Sequence, residues 1–158
     1  MKANVCTSFA TVALLMVVCF SSGIAQDKAI WTGTWKMVPE KTQFANGDGP
    51  SSIVIKLELK EGAVTETLTV GTPGGERNFT ATYTTDSKPS TQDVLGGTAQ
   101  TTAKWDGAAL VIDFKREGWG FTRKINLSSD GKTMTIAVHH SGDNGEADET
   151  VVLERQSS

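Results

Sequence analysis

Beyond residue 26 the chain alternates between apolar and polar residues with a period of two, and the three-and-four spacing of a helix is nearly absent. The pattern predicts nine strands, over 31–38, 52–60, 63–70, 77–85, 99–105, 108–115, 119–128, 132–140 and 147–154. Turn signals stand between them: Asn46-Gly47, Glu61-Gly62, Gly74-Gly75, Gly96-Gly97, Asp106-Gly107, Glu117-Gly118, Asp130-Gly131 and Asp143-Asn144-Gly145. Asp-Gly and Asn-Gly suit tight hairpins because both residues tolerate positive φ. The Gly-rich stretch 45–51 and the polar stretch 86–98 read as loops within one domain. A meander this long exposes two bare edges unless it curls and closes. The expected fold is therefore all-β, a single antiparallel up-and-down barrel with strand 31–38 meeting strand 147–154. A two-sheet sandwich is the alternative.

Alternation sorts each strand into two faces. One face carries Trp31, Gly33, Trp35 and Met37; then Ile53, Ile55, Leu57 and Leu59; then Leu110, Ile112 and Phe114; and finally Met134, Ile136 and Val138. These residues are expected to fill a barrel interior. Val54 and Val111 fall on the opposite face, so the alternation is imperfect.

The first 25 residues are of another kind. Lys2 is their single charge, and the apolar run from Phe9 to Phe20 falls short of the roughly 20 residues that a spanning helix needs. Gly23-Ile24-Ala25 then places small residues where a signal peptidase cuts, which predicts a signal peptide over 1–25 and a mature chain from Gln26. Cys19 follows Val18, not the small residue that a lipid-attachment site wants. Both cysteines, Cys6 and Cys19, lie within this segment, so the mature domain has no disulfide and no thiolate.

Whole-chain net charge is −3, and loss of Lys2 makes the mature chain one unit more acidic. Mixed charges of slightly acidic balance exclude the basic stripe of a nucleic-acid surface and an electrostatic membrane anchor. No nucleophile elbow, His-Glu-x-x-His run or phosphate-cradling glycine loop is present. His139 and His140 are the two histidines; as strand neighbours they point to opposite faces and do not chelate one ion together. The acidic run Asp143–Glu149 lacks the spacing of a calcium loop and reads as a solvated turn. No cofactor is implied.

Thr32-Gly33-Thr34-Trp35-Lys36-Met37 resembles the opening strand of lipocalin-like and fatty-acid-binding proteins, which begin Gly-Thr-Trp-Lys and an apolar residue. Val152-Leu153-Glu154-Arg155 is similar to the end of their last strand. Thr102-Ala103-Lys104-Trp105-Asp106-Gly107 and Leu127-Ser128-Ser129-Asp130-Gly131-Lys132-Thr133-Met134-Thr135 resemble a group of secreted, mostly uncharacterised bacterial lipocalin-like proteins. The resemblance spans residues 31–155 and implies a closed calycin-type barrel, whose better-known members hold small apolar ligands. Two departures matter. The Arg and Tyr with which fatty-acid-binding proteins hold a carboxylate correspond here to Val151 and Leu153, and Pro39 to Ser51 is too short for their two-helix lid. Fatty-acid binding is therefore not carried over.

Several polar residues share the parity of the apolar faces: Glu66, Arg77, Tyr83, Arg123, His140 and Glu149. A buried charge is costly unless paired. Arg123 either pairs with Glu66 or Glu149 and satisfies the interior, or anchors a ligand's carboxylate or phosphate. Arg123 and Tyr83 are the candidate anchors, with His140 inward or at the rim. Trp35, Trp105 and Trp119 are candidates to line the same interior, although plain core packing also accounts for them.

The expectation is a secreted or periplasmic, non-enzymatic protein that holds a small, mainly apolar molecule in a barrel cavity. The alternative is a protein-interaction or envelope accessory module whose barrel is filled by its own side chains. A calycin-type enzyme, an isomerase or cyclase, is a third reading. An open apolar interior favours the first and a filled one the second.

Overall fold

The computed structural model describes residues 28–94, 97–143 and 145–157; the expected signal segment lies outside the described residues. The strands are β1 (Gly33–Met37), β2 (Ser52–Lys60), β3 (Ala63–Thr72), β4 (Gly75–Thr84), β5 (Ser90–Val94), β6 (Gly97–Asp106), β7 (Ala109–Arg116), β8 (Trp119–Leu127), β9 (Thr133–Gly142) and β10 (Gly145–Arg155). They form one sheet in the order β4-β3-β2-β1-β10-β9-β8-β7-β6-β5. First and last strands pair antiparallel, with Trp35 opposite Arg155 and Met37 opposite Leu153. The expected all-β, up-and-down barrel is the observed one. No helix among the described residues is long and apolar enough to cross a membrane.

The turn residues act where the sequence places them. Asp106 pairs with Ala109 across a two-residue turn, and Gly107 there takes φ 60, a value that suits glycine. Strand β5 was not expected: Ser90–Val94 lies inside the stretch read as a loop. It is short and polar, and its ladder runs to β6 alone. An edge strand needs no continuous apolar face, so alternation gave no signal. The first predicted strand also starts late, because Trp31 ends a 3₁₀ turn spanning Lys28–Trp31.

The two sheet edges, β4 and β5, meet without a ladder. Two devices close the seam. Near the β4 end, Asp86 bridges to Lys104 and the Ser87 amide donates to the Ala103 carbonyl at 3.0 Å. Farther along, the Gln92 side-chain amide donates to the Thr82 carbonyl at 2.8 Å.

Side chains pack one end of the barrel shut. Trp31 and Trp35 have no exposed surface, and Leu110, Met134 and Leu153 join them. Burial of each such large apolar side chain contributes roughly 1.5–3 kcal/mol. Arg155 ties this end together. Its Nε donates to the Gly131 carbonyl at 2.9 Å, Nη1 to Thr32 at 2.9 Å, and Nη2 to the Ile30 carbonyl. The guanidinium lies 4.2 Å over the Trp35 ring.

Candidate functional site

Toward the other end the interior opens into a cavity of about 290 Å³. That lies near the lower edge of the roughly 300–1,000 Å³ range of ligand pockets. It exceeds the ~150 Å³ void that admits benzene in an engineered core. Its wall is mostly apolar: Ile53 and Ile55 of β2, Leu68 of β3, Phe79 and Ala81 of β4, Phe114 of β7, Phe121 of β8, Ile136 and Val138 of β9, and Val151 of β10. The strand period explains this wall, since each of these residues is two positions from its neighbour on the inward face.

The loop between β1 and β2 contributes Phe44, Asp48, Gly49 and Pro50 to the wall. It holds one short 3₁₀ turn, Pro39–Lys41, where fatty-acid-binding proteins carry two helices. Phe44 lies so close to Gly49 that a Cβ there would sit 2.0 Å from the ring. Only glycine lets this loop fold so tightly at the cavity's edge.

Glu66, Arg123 and Tyr83 form the buried polar centre of the wall. Arg123 Nη2 donates to Glu66 Oε1 at 2.7 Å and Nη1 to Oε2 at 2.9 Å, a two-point charged pair. The Tyr83 hydroxyl donates to the same Oε2 at 3.2 Å. Glu66 is 3% exposed and the Arg123 side chain 12%. Burial works against the guanidinium charge, but the Glu66 charge and hydrogen bonds outweigh it and raise the Arg123 pKa above its ordinary value. Tyr83 is also pushed well above the usual phenol range, first by burial and then by the Glu66 charge, with Arg123 opposing. The carboxylate, guanidinium and neutral phenol thus satisfy one another.

His140 and Glu149 occupy the wall on neighbouring strands. His140 Nε2 lies 3.3 Å from Glu149 Oε2, yet the two are not aligned as a hydrogen bond, and this shielded nitrogen has no hydrogen-bond partner. The His140 ring is 5.7 Å from Phe121, which stacks on Phe114 at 4.3 Å. Asp48 and Asp93 complete the lining.

Of the residues expected from the sequence, Arg123, Tyr83 and His140 line the cavity together. The three tryptophans do not. Trp35 is packed into the closed end, where its Nε1 donates to the Trp31 carbonyl at 3.3 Å. Trp105 lies edge-on to Trp31 at 5.0 Å, in that same packed end. Trp119 lies beyond Phe121, which it meets edge-on at 4.9 Å, and Arg116 covers its other side at 4.5 Å. Large rings near a barrel's ends serve as plugs, and period-two alternation does not say how deep along the axis a residue sits. Arg77 shares the inward parity but is exposed, because it lies near the start of β4 beside Thr72-Pro73-Gly74. Glu149 and Asp93 were not singled out as site residues; Glu149 carried the parity signal, whereas Asp93 belongs to the unexpected strand.

No family model and no curated protein sequence matches the chain. Solved structures do. Zebrafish ileal bile acid-binding protein complexed with cholic acid superposes with a TM-score of 0.61 at 13% identity, covering 80% of this chain and 99% of that one. The fold is a calycin-type β-barrel. Fluorescent protein UnaG aligns with this barrel at a TM-score of 0.63 and 14% identity, over 82% of this chain and 99% of its own. An abundant heat soluble (SAHS) protein of Ramazzottius varieornatus reaches 0.65 at 8% identity, over 80% and 96%. At these identities the likeness shows the calycin-type fold alone.

Proposed function

We propose that this protein is a non-enzymatic carrier that holds a small, mainly apolar molecule inside the barrel. The observation that carries this reading is the 290 Å³ cavity, with mostly apolar walls and few polar groups, of which Glu66, Arg123 and Tyr83 satisfy one another. Buried apolar ligand surface contributes roughly 25 cal/mol per Å², so the wall supplies affinity and the polar groups supply orientation. The neighbours support it at the level of fold: one is a bile acid-binding protein and another, from Manduca sexta, a fatty-acid-binding protein. The second sequence reading, a barrel wholly filled by its own side chains, fits the closed end only. The leader over 1–25 supports export, with the mature chain working in the periplasm or outside the cell.

An apolar fluorescent dye such as Nile red tests the carrier reading. The expected result is saturable binding that falls at least tenfold in Val138→Trp, which fills the cavity, while the thermal midpoint stays close to the parent's. Dye binding that is indifferent to Val138→Trp contradicts it. The intact mass of the exported protein tests the leader: a chain beginning at Gln26 supports it, and one retaining Met1 opposes it.

A further inference from the structure

We infer that the cavity selects against anionic amphiphiles and takes an apolar molecule with a hydrogen-bond-donating head, an amine in preference to an alcohol. This deepens the carrier reading and rests on it. Among the described residues, the cavity wall holds one guanidinium and four carboxylates. The guanidinium is spent: Arg123 forms a two-point pair with Glu66, and Glu66 Oε2 also accepts a hydrogen bond from the Tyr83 hydroxyl. This cluster is neutral as a unit, and a ligand carboxylate beside it would add an uncompensated charge to a low-dielectric wall.

The groups that remain are acceptors. Glu149 and the exposed Asp48 and Asp93 line the cavity with no Lys or Arg at ion-pair distance among the described residues; His140 Nε2 lies 3.3 Å from Glu149. The Tyr83 hydroxyl donates its hydrogen bond to Glu66, and its oxygen keeps lone pairs for a ligand donor. Together these make a wall complementary to N–H and O–H groups and repulsive to carboxylate, sulfonate or phosphate. Val151 and Leu153 agree with this. The cation of the last strand, Arg155, is held at the closed end by the Gly131, Thr32 and Ile30 carbonyls and is not part of the cavity wall, so it restores no anion site there.

Three probes with one alkyl chain separate the cases: decanoate, decanol and decylamine, each titrated into the full mature chain by calorimetry at pH 7. The expected order is decylamine tightest, decanol next and decanoate at least tenfold weaker than the amine. Glu149→Gln and Asp93→Asn each narrow the gap between amine and acid, and added salt narrows it too. Decanoate binding as tightly as decylamine overturns the charge selectivity and leaves the carrier reading standing. An amine preference indifferent to both substitutions overturns the assignment of these carboxylates. Failure of all three probes removes the carrier reading and the inference with it.

Discussion

Glu66 of β3 and Arg123 of β8 meet across the barrel interior through charged hydrogen bonds of 2.7 and 2.9 Å. They stand on opposite sides of the strand order, so the pair braces the cylinder at the floor of its open half. Its geometry satisfies both charges, and such pairs stabilise little over a well-packed apolar replacement. Breaking one is another matter.

Glu66→Gln leaves the guanidinium buried without its counter-charge. The expected cost is about 3–5 kcal/mol in denaturant unfolding. The double variant Glu66→Leu with Arg123→Met is expected to recover most of that loss, because neither charge then needs solvating. A double variant as unstable as Glu66→Gln contradicts this account of the pair. Arg123→Ala is accordingly a stability variant first, and any loss of ligand in it needs Val138→Trp as its comparison.

Tyr83 is the chain's single tyrosine, so its ionisation can be read directly by ultraviolet absorbance. Its folded pKa is raised, so the folded state holds the phenol proton more tightly than the unfolded chain does. That contribution is fully present below the unfolded value of about 10 and is lost as pH rises through the folded one. No tyrosinate signal is expected until the protein unfolds in alkali. A reversible titration near pH 10 with the fold intact contradicts the buried hydrogen bond to Glu66.

On the outer face, His139 Nδ1 lies 2.8 Å from Asp148 Oδ1. That hydrogen bond is the main cause of a raised histidine pKa; burial opposes it slightly, and the charges of Asp148 and Glu146 assist. A raised folded value stabilises the protein below the ordinary histidine range, and the gain disappears as pH rises through the folded pKa. Asp148→Asn is expected to lower the His139 midpoint in a proton NMR titration. Its effect on stability should be confined to acid solution. An unmoved midpoint contradicts the pairing.

The seam between β4 and β5 has no ladder; the backbone bridge of Asp86 and Ser87 to β6 and the Gln92 side chain hold it. Gln92→Ala removes the bond to the Thr82 carbonyl, at an expected cost of about 0.5–1.5 kcal/mol. Amide exchange in β4 and β5 should quicken in this variant while β9 and β10 keep their protection. Uniform quickening across the barrel contradicts a local role for Gln92.

Particular residues show which features the sequence carried. Ile53, Ile55 and Leu57 occupy every second position, and all three lie inside the barrel as expected despite the apolar Val54 between them. Glu66, Tyr83 and Arg123 share that inward parity with Arg77, His140 and Glu149; pairing of Arg123 with Glu66 or Glu149 is one of its two readings, and parity alone tells neither which acid pairs nor that Arg77 is exposed. Depth along the barrel was not legible. Trp35 and Phe121 carry the same inward signal, yet one seals the closed end and the other lines the cavity. Strand β5 escaped because Ser90, Thr91, Gln92 and Asp93 have no apolar partner in the pattern; its place comes from pairing with β6. Asp93 therefore entered the cavity wall unseen.

Native mass spectrometry of the mature chain, purified from its own host without detergent, tests the central claim most directly. The account predicts a retained small-molecule adduct that is lost on denaturation and absent from Val138→Trp. The bare polypeptide mass in wild type, unchanged after incubation with apolar amines and alcohols, would contradict it.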